Sequence, residues 1–346
     1  MKRQTASAAI LTPVETPAET AELVEIGLRP RALAEYVGQA KIKEHLSIHV
    51  KAAASRSEPL GHTLLHGPPG LGKTTLAHII AHEMGSQMKV TSGPAIEKPG
   101  DLASLLTNLA QGDVLFIDEI HRLRPVIEEV LYGAMEDGVL DIVIGKGPTA
   151  RSVRLSIKPF TLVGATTKAG AMSAPLRDRF MHAFKLGFYE PQEMEAIVRR
   201  SASILGVPLG DSAAATIAAA SRSTPRIANR LVRAVRDFAH SRSEPTVTDD
   251  CVRDTLSSLD IDLTGLDATD RALLSTIIDS FNGGPVGLST LAAMLAEEEE
   301  TIEGMYEPYL MQQGFLQRTA KGRHATRRAY EKLGRTLPEG GEQQLF

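Results

Sequence analysis

The segment GPPGLGKT at 67–74 carries the pattern G-x-x-x-x-G-K-[ST], and the chemistry such a pattern serves is a phosphate cradle. Glycines let backbone N–H groups close around a triphosphate, Lys73 supplies a cation to its outer phosphates, and Thr74 offers a hydroxyl oxygen to Mg²⁺. Further along, VLFIDEIH (114–121) ends an apolar run in Asp118-Glu119. At the carboxyl end of a parallel strand that acidic pair lies beside the cradle, with Asp118 suited to the metal shell and Glu119 to orienting and deprotonating water. A third run, FTLVGATT (160–167), finishes in two hydroxyls, Thr166 and Thr167, either of which could meet a γ-phosphate. PLRDRF (175–180) sets Arg177 and Arg179 on a surface turn after Pro175. An arginine supplied from there to a neighbouring copy would link hydrolysis to assembly. Thr224-Pro225-Arg226 opens a helix with Arg226, Arg230 and Arg233 on one face. In the first turn Arg226 opposes the helix dipole, a cost that a bound phosphate offsets.

These residues need elements to hold them. From Leu28 to about Phe188, strand-like runs alternate with helical stretches, which predicts an α/β fold: a parallel sheet covered by helices, occupying 27–188. Residues 1–26, rich in Ala, Thr, Glu and Pro without apolar period, read as a disordered tail. Over 189–262 the strands disappear, and Ile227, Leu231, Val235 and Phe238 mark a helix face, so a small helical domain is expected. In 263–346 the order is a helix at 269–281, the break Asn282-Gly283-Gly284-Pro285, a short helix from Ser289, a longer one ending near Gln313, and a two-stranded ribbon at 314–326. The ribbon is expected to turn at Lys321-Gly322, and the whole order is that of a winged helix.

Composition narrows the function classes. With 38 basic against 42 acidic residues the net charge is −4, which excludes a globally basic nucleic-acid coat protein and shifts attention to local patches. The lone Cys251 excludes an intramolecular disulfide or a cysteine metal cluster, and no apolar run is long enough to span a membrane, so a reducing cytoplasm is expected. No Trp is present, which argues against a single-strand binder built on aromatic stacking. Between Leu316 and Arg335 stand Arg318, Lys321, Arg323, Arg327, Arg328, Lys332 and Arg335 against Glu331 alone. Arg318 and Arg323 flank the expected turn and are the candidates for DNA phosphate, with contact largely independent of base sequence. Glu297 to Glu300, by contrast, would repel phosphate from the preceding helix.

The order of these parts resembles the AAA+ ATPases. More narrowly, LRPRALAEYVGQ (28–39), TSGPAIEKPGDL (91–102), TPRIANRL and EPYLMQQGFLQRT (307–319), together with the segments above, resemble the RuvB family of Holliday-junction branch-migration motors. That resemblance runs from about Leu28 to Gly334 and implies an ATP-driven DNA translocase with a large ATPase domain, a lid and a winged-helix head. It implies that Leu28 and Arg29 line the adenine side, that Gly70, Gly72, Lys73, Thr74 and Thr75 hold phosphate and Mg²⁺, and that Tyr189 and Arg226 close the pocket. Glu136 and Asp137 are implied as further nucleotide contacts, Thr167 as the sensor in preference to Thr166, and Arg179 as the finger acting across a subunit boundary. It implies a homo-hexameric ring on four-way junction DNA, docking to RuvA through a hairpin at 139–157, and RuvC in the resolving complex. In that hairpin Leu140, Ile142 and Ile144 alternate before Gly145-Lys146-Gly147-Pro148. Three positions depart from the family pattern: Gly138, Met181-His182 and Glu299. An alternative reading of the same ATPase core is a clamp-loader-like remodeller of protein partners on DNA.

Overall fold

The computed structural model describes residues 27–144 and 151–337; the expected tail at 1–26 and the turn Gly145-Lys146-Gly147-Pro148 lie outside the described residues. In chain order the strands are β1 (Thr63–His66), β2 (Met88–Ser92), β3 (Val114–Asp118), β4 (Val139–Ile144), β5 (Arg151–Ser156), β6 (Thr161–Thr166), β7 (His182–Lys185), β8 (Leu316–Thr319) and β9 (Gly322–Ala325). Five of them form one sheet, ordered β2-β3-β6-β1-β7, and each adjacent pair is parallel. β6 is buried along its whole length and β3 up to Asp118, because helices cover both faces; that is why these strands read as continuous apolar runs. β2 and β7 were not marked by sequence. They are the two edges, short and partly exposed, and their polar residues break the apolar pattern.

The order brings the chemistry together. β6 sits between β1 and β3, so the turn leaving β1 at His66 and the carboxylates leaving β3 at Asp118 flank the Thr166 end of β6. β4 and β5 stand apart as an antiparallel hairpin between the helix Pro125–Glu136 and β6. At its root the Ile157 amide donates to the Gly138 carbonyl at 2.7 Å, and Leu140 and Ile157 are buried in the large domain.

The lid consists of the helices Pro191–Ile204, Asp211–Ala220, Pro225–Ser241 and Asp249–Ser258. Leu231 and Val235 of the expected stripe are buried, with Ile227 and Phe238 packed half-buried beside them. The head has its own core, built on Leu273, Ile277, Leu291, Leu310 and Tyr330. Its first helix, Ala268–Ser275, continues as a π-helical turn, Thr276–Ser280, and a second such turn, Ile302–Tyr306, joins Glu299–Thr301 to Glu307–Gln312. The β8–β9 hairpin turns at Ala320-Lys321, one residue earlier than expected. Gly322 is instead the first residue of β9, where a side chain would meet the Val286 carbonyl at 2.5 Å. A closing helix, Arg327–Lys332, was not anticipated from sequence. No helix among the described residues is long and apolar enough to cross a membrane.

Candidate active site

The chain leaves β1 through 67–72 and enters the helix Lys73–Glu83. Lys73 is only 8% exposed, and its ammonium donates to the carbonyls of Gly67 and Pro68, both at 2.8 Å. Burial pushes its pKa down to about 8, with Asp118 opposing that shift and Arg226 adding to it. Lys73 therefore lies within electrostatic reach of both the acidic strand end and the lid. Gly70 explains how the lid comes so close: a Cβ there would meet Thr224 Cγ2 at 2.7 Å and Arg226 Cβ at 3.2 Å. The Arg226 amide approaches the Gly70 carbonyl at 3.4 Å.

A cleft of about 190 Å³ results, bounded below by the phosphate turn and above by the lid. Gly70, Gly72, Lys73, Thr74 and Thr75 line one wall, Asp118, Glu119 and Thr167 a second, and Arg29, Arg226 and Asn229 the rest. A smaller space of about 70 Å³ continues from it between Leu28, Arg29, Tyr36, Tyr189 and Arg200. There the Tyr189 hydroxyl lies 2.8 Å from that of Tyr36 and 3.0 Å from the Leu71 carbonyl, and burial pushes the Tyr189 pKa up to about 12. Leu28 is buried, and its carbonyl accepts from Arg200 at 2.6 Å.

The acidic pair is held by its own backbone. Asp118 Oδ1 accepts the Glu119 amide at 2.9 Å, and Glu119 takes a left-handed φ of 47°, a strained setting that turns its side chain out of the strand. Glu119 Oε2 accepts from Arg122 at 3.0 Å. The two threonines separate clearly. Thr166 is buried, its Oγ1 lying 2.9 Å from His121 Nδ1 and accepting the Lys168 amide at 3.0 Å, whereas Thr167 is exposed and lines the cleft. Thr166 thus links the Lys168 backbone to His121, whose pKa burial lowers.

Arg179 does not line this cleft. Its guanidinium donates to the Pro175 carbonyl at 2.8 Å and to Glu136 at 3.1 Å, and lies 4.4 Å over the Tyr132 ring. Glu136 and Asp137, expected at nucleotide, are likewise outside the chain's own cleft: Glu136 pairs with Arg179 and Asp137 caps the helix Pro125–Glu136. Arg179 and Glu136 form one pair outside the cleft, and Asp137 is the next residue in the chain. Gly138 follows that cap and contributes only its carbonyl, to the hairpin root. Met181 is 75% exposed, while His182 begins β7 and packs on His49 with ring centroids 4.1 Å apart.

The head corrects the reading of the wing. Arg323 is 8% exposed, and its Nε donates at 2.6 Å to Glu307, itself fully buried, so it is an internal ion pair rather than a surface cation for phosphate. Arg318, opposite it in the hairpin register, is half exposed but pairs with Glu303 at 2.7 Å. Arg327, Lys332 and Arg335 also hold carboxylates, those of Glu331, Asp262 and Asp279. Glu299 opens the short helix Glu299–Thr301, and its neighbour Glu300 reaches Lys168 of the large domain at 2.6 Å.

Sequence reasoning passed over Asn229, Arg200 and Tyr36 at the cleft and gave His121 no role. Asn229 had a readable signal, since it lies one helical turn after Arg226 and so on the same face. His121 had none, because its partner Thr166 is reached only through the pairing of β3 with β6.

Comparison with known proteins follows the same divisions. Residues 28–186 match a family model described as the Holliday junction DNA helicase RuvB P-loop domain, 189–262 the RuvB AAA lid domain, and 263–334 the RuvB C-terminal winged helix domain. The Holliday junction branch migration complex subunit RuvB of Chloroflexus aurantiacus is 57% identical over 329 residues, covering 93% of this chain and 94% of its own. The Thermotoga maritima RuvB Holliday junction branch migration motor superposes with a TM-score of 0.83 at 49% identity, covering 90% of this chain and all of that one. A substituted form of the same protein gives 0.84 at 50% identity, covering 90% and 99%. With three domain matches end to end, a cleft that gathers a phosphate turn, an acidic strand end and a lid arginine, and a relative this similar over nearly its whole length, the chain belongs to the RuvB family of Holliday-junction DNA helicases.

Proposed function

We propose that this RuvB-family motor hydrolyses ATP in the cleft between large domain and lid and uses the lid's response to drive duplex arms through a four-way junction. The observation that carries this reading is the convergence of Lys73, Thr74, Asp118, Glu119, Thr167 and Arg226 on one cleft bordered by two domains. Lys73 holds the outer phosphates, Glu119 orients and deprotonates water, Thr167 senses the γ-phosphate, and Arg226 reports it to the lid. Leu28, Arg29 and Tyr189 bound the space on the adenine side. Mg²⁺ fits the donors available, since the Thr74 hydroxyl and the Asp118 carboxylate are hard oxygens lining the same cleft. When bound it neutralises charge developing on the transferred phosphoryl group.

Arg179, with Glu136 and Asp137 beside it, serves the cleft of a neighbouring copy, and a closed hexameric ring follows from repeating that contact. Its position outside its own cleft supports this assignment. The hairpin 139–157 docks RuvA, RuvC joins the complex that resolves the junction, and the assembly works in the cytoplasm. DNA is gripped through its backbone, so affinity is insensitive to sequence.

Mixed assemblies test the central claim. Subunits carrying Lys73→Ala and subunits carrying Arg179→Ala should each be inactive alone and regain ATPase together, because some boundaries then pair an intact cradle with an intact finger. Mixed rings that form yet stay inactive would remove the finger role from Arg179. Dissociation of a synthetic four-way junction, dependent on ATP and stimulated by RuvA, tests the motor itself.

A further inference from the structure

Four residues before Arg226, at the end of the lid helix Asp211–Ala220, stands an arginine that no part of the ATPase chemistry uses. Arg222 is 7% exposed. Its Nε donates to the Gly265 carbonyl at 2.7 Å, and its terminal nitrogen donates to Asp267 at 2.9 Å and to Asp270, which is completely buried. The guanidinium also faces the Tyr309 ring, 5.3 Å from its centroid. Every one of these partners belongs to the head, whereas Arg222 belongs to the lid. Arg222 and Ser223 both hold left-handed backbone, at φ 52° and 50°, a conformation persisting only where surroundings over-determine it.

The same short segment touches the nucleotide cleft. The Ser223 carbonyl accepts the Tyr189 amide at 3.2 Å, Thr224 packs on the phosphate turn at Gly70, and Arg226 lines the cleft. Thus 222–226 carries the head's anchor at one end and the phosphate-reading arginine at the other. The head's attachment to the large domain is of another kind: the Lys168–Glu300 pair has side chains 37% and 75% exposed, a class of contact that contributes little.

We infer that Arg222 is a positioning residue that makes lid and head a single rigid arm, so that displacement of the lid by nucleotide reaches the DNA-bound head undiminished. The inference rests on the motor reading above and names the buried centre of a joint whose rim carries the more exposed pairs Lys332–Asp262 and Arg271–Asp260. Because bonds to Gly265, Asp267 and Asp270 radiate from one planar group, the joint resists rotation as well as separation.

The test uses the full-length chain in its assembled form, with dyes on cysteines introduced at two exposed pairs of sites. His240 with Gln312 reports lid to head; Ser104 with His240 reports large domain to lid. Expected is a large-domain-to-lid distance that shifts when ADP replaces a slowly hydrolysed ATP analogue, and a lid-to-head distance that stays single and narrow in both. Arg222→Gln should broaden the lid-to-head distribution and cut base pairs migrated per ATP by about five-fold or more, while the KM for ATP stays within about two-fold. Because that change strands Asp270 without a countercharge, the paired variant Arg222→Met with Asp270→Leu repeats the measurement with an apolar replacement that keeps the seam packed. A lid that ignores nucleotide overturns the motor reading and this inference with it. A lid that moves while the head drifts independently in the unsubstituted protein, or either variant retaining full coupling, overturns this inference alone.

Discussion

The nucleotide cleft and the wing are both rich in basic side chains, yet they hold them in opposite ways. In the cleft Lys73 is buried against backbone carbonyls, close enough to Asp118 and Arg226 for both to shift its titration. In the wing and the helix after it, Arg318, Arg323, Arg327, Lys332 and Arg335 are each already matched to a carboxylate of this chain. Arg328 lies over the Phe315 ring, and Lys321 stands exposed at the hairpin turn. The lesson is that a motif whose geometry is local carries its chemistry into the fold, whereas a count of charges does not survive the ion pairs that folding makes. Of the seven basic side chains only Arg323 is buried; the others stay at the surface, most of them shared with a carboxylate.

The largest effect that would break this contrast lies in the cleft. Lys73→Ala should abolish nucleotide binding in an equilibrium titration with a fluorescent ATP analogue; retained affinity would mean that the phosphates lie elsewhere. Next, Glu119→Gln should bind ATP normally yet lower turnover by on the order of 10²–10⁴, measured as phosphate release. Near-normal turnover would remove Glu119 as the base.

In the wing the ranking depends on burial. Arg323→Ala leaves the buried Glu307 with only the more distant Arg318, at 3.9 Å, and should destabilise that domain by about 3 kcal/mol, read as an early unfolding step in denaturant. If the head stays stable and the DNA salt dependence changes instead, the contrast collapses. Arg318→Ala with Lys321→Ala should leave the head folded and flatten the slope of log K against log salt by about two units on duplex DNA. An unchanged slope would place the DNA grip elsewhere in the protein. The smallest effect is expected from Glu303→Gln, which releases Arg318 from an exposed pair and should tighten DNA binding a few-fold at low salt.

How much was legible follows the same division. The phosphate turn, the Asp118-Glu119 strand end and the Thr166-Thr167 end are contiguous in sequence, and β1, β3 and β6 are buried enough to announce themselves as apolar runs. The edge strands β2 and β7 left no such trace, being only partly buried. Pairings between residues far apart in the chain, such as Arg179 with Glu136, Thr166 with His121 and Arg222 with Asp270, depend on which elements become neighbours. No spacing rule encodes that. Arg323 was misread for the same reason: its carboxylate partner lies in the helix before the ribbon, on the side the hairpin packs against.

The hairpin formed by β4 and β5 leaves the large domain at one root, where the Gly138 carbonyl and the Ile157 amide meet and Leu140, Leu155 and Ile157 pack into the domain. Its two ends enter and leave at the same spot, between the helix Pro125–Glu136 and β6, and none of its described residues lines the hydrolytic cleft. An appendage so mounted is a replaceable part. Beyond its buried root it can be lengthened or recoded without displacing an atom that lines this chain's own cleft. Selection can therefore alter the outer hairpin and how fast the motor runs as two separate heritable traits, and a lineage can renegotiate the first without relearning the second.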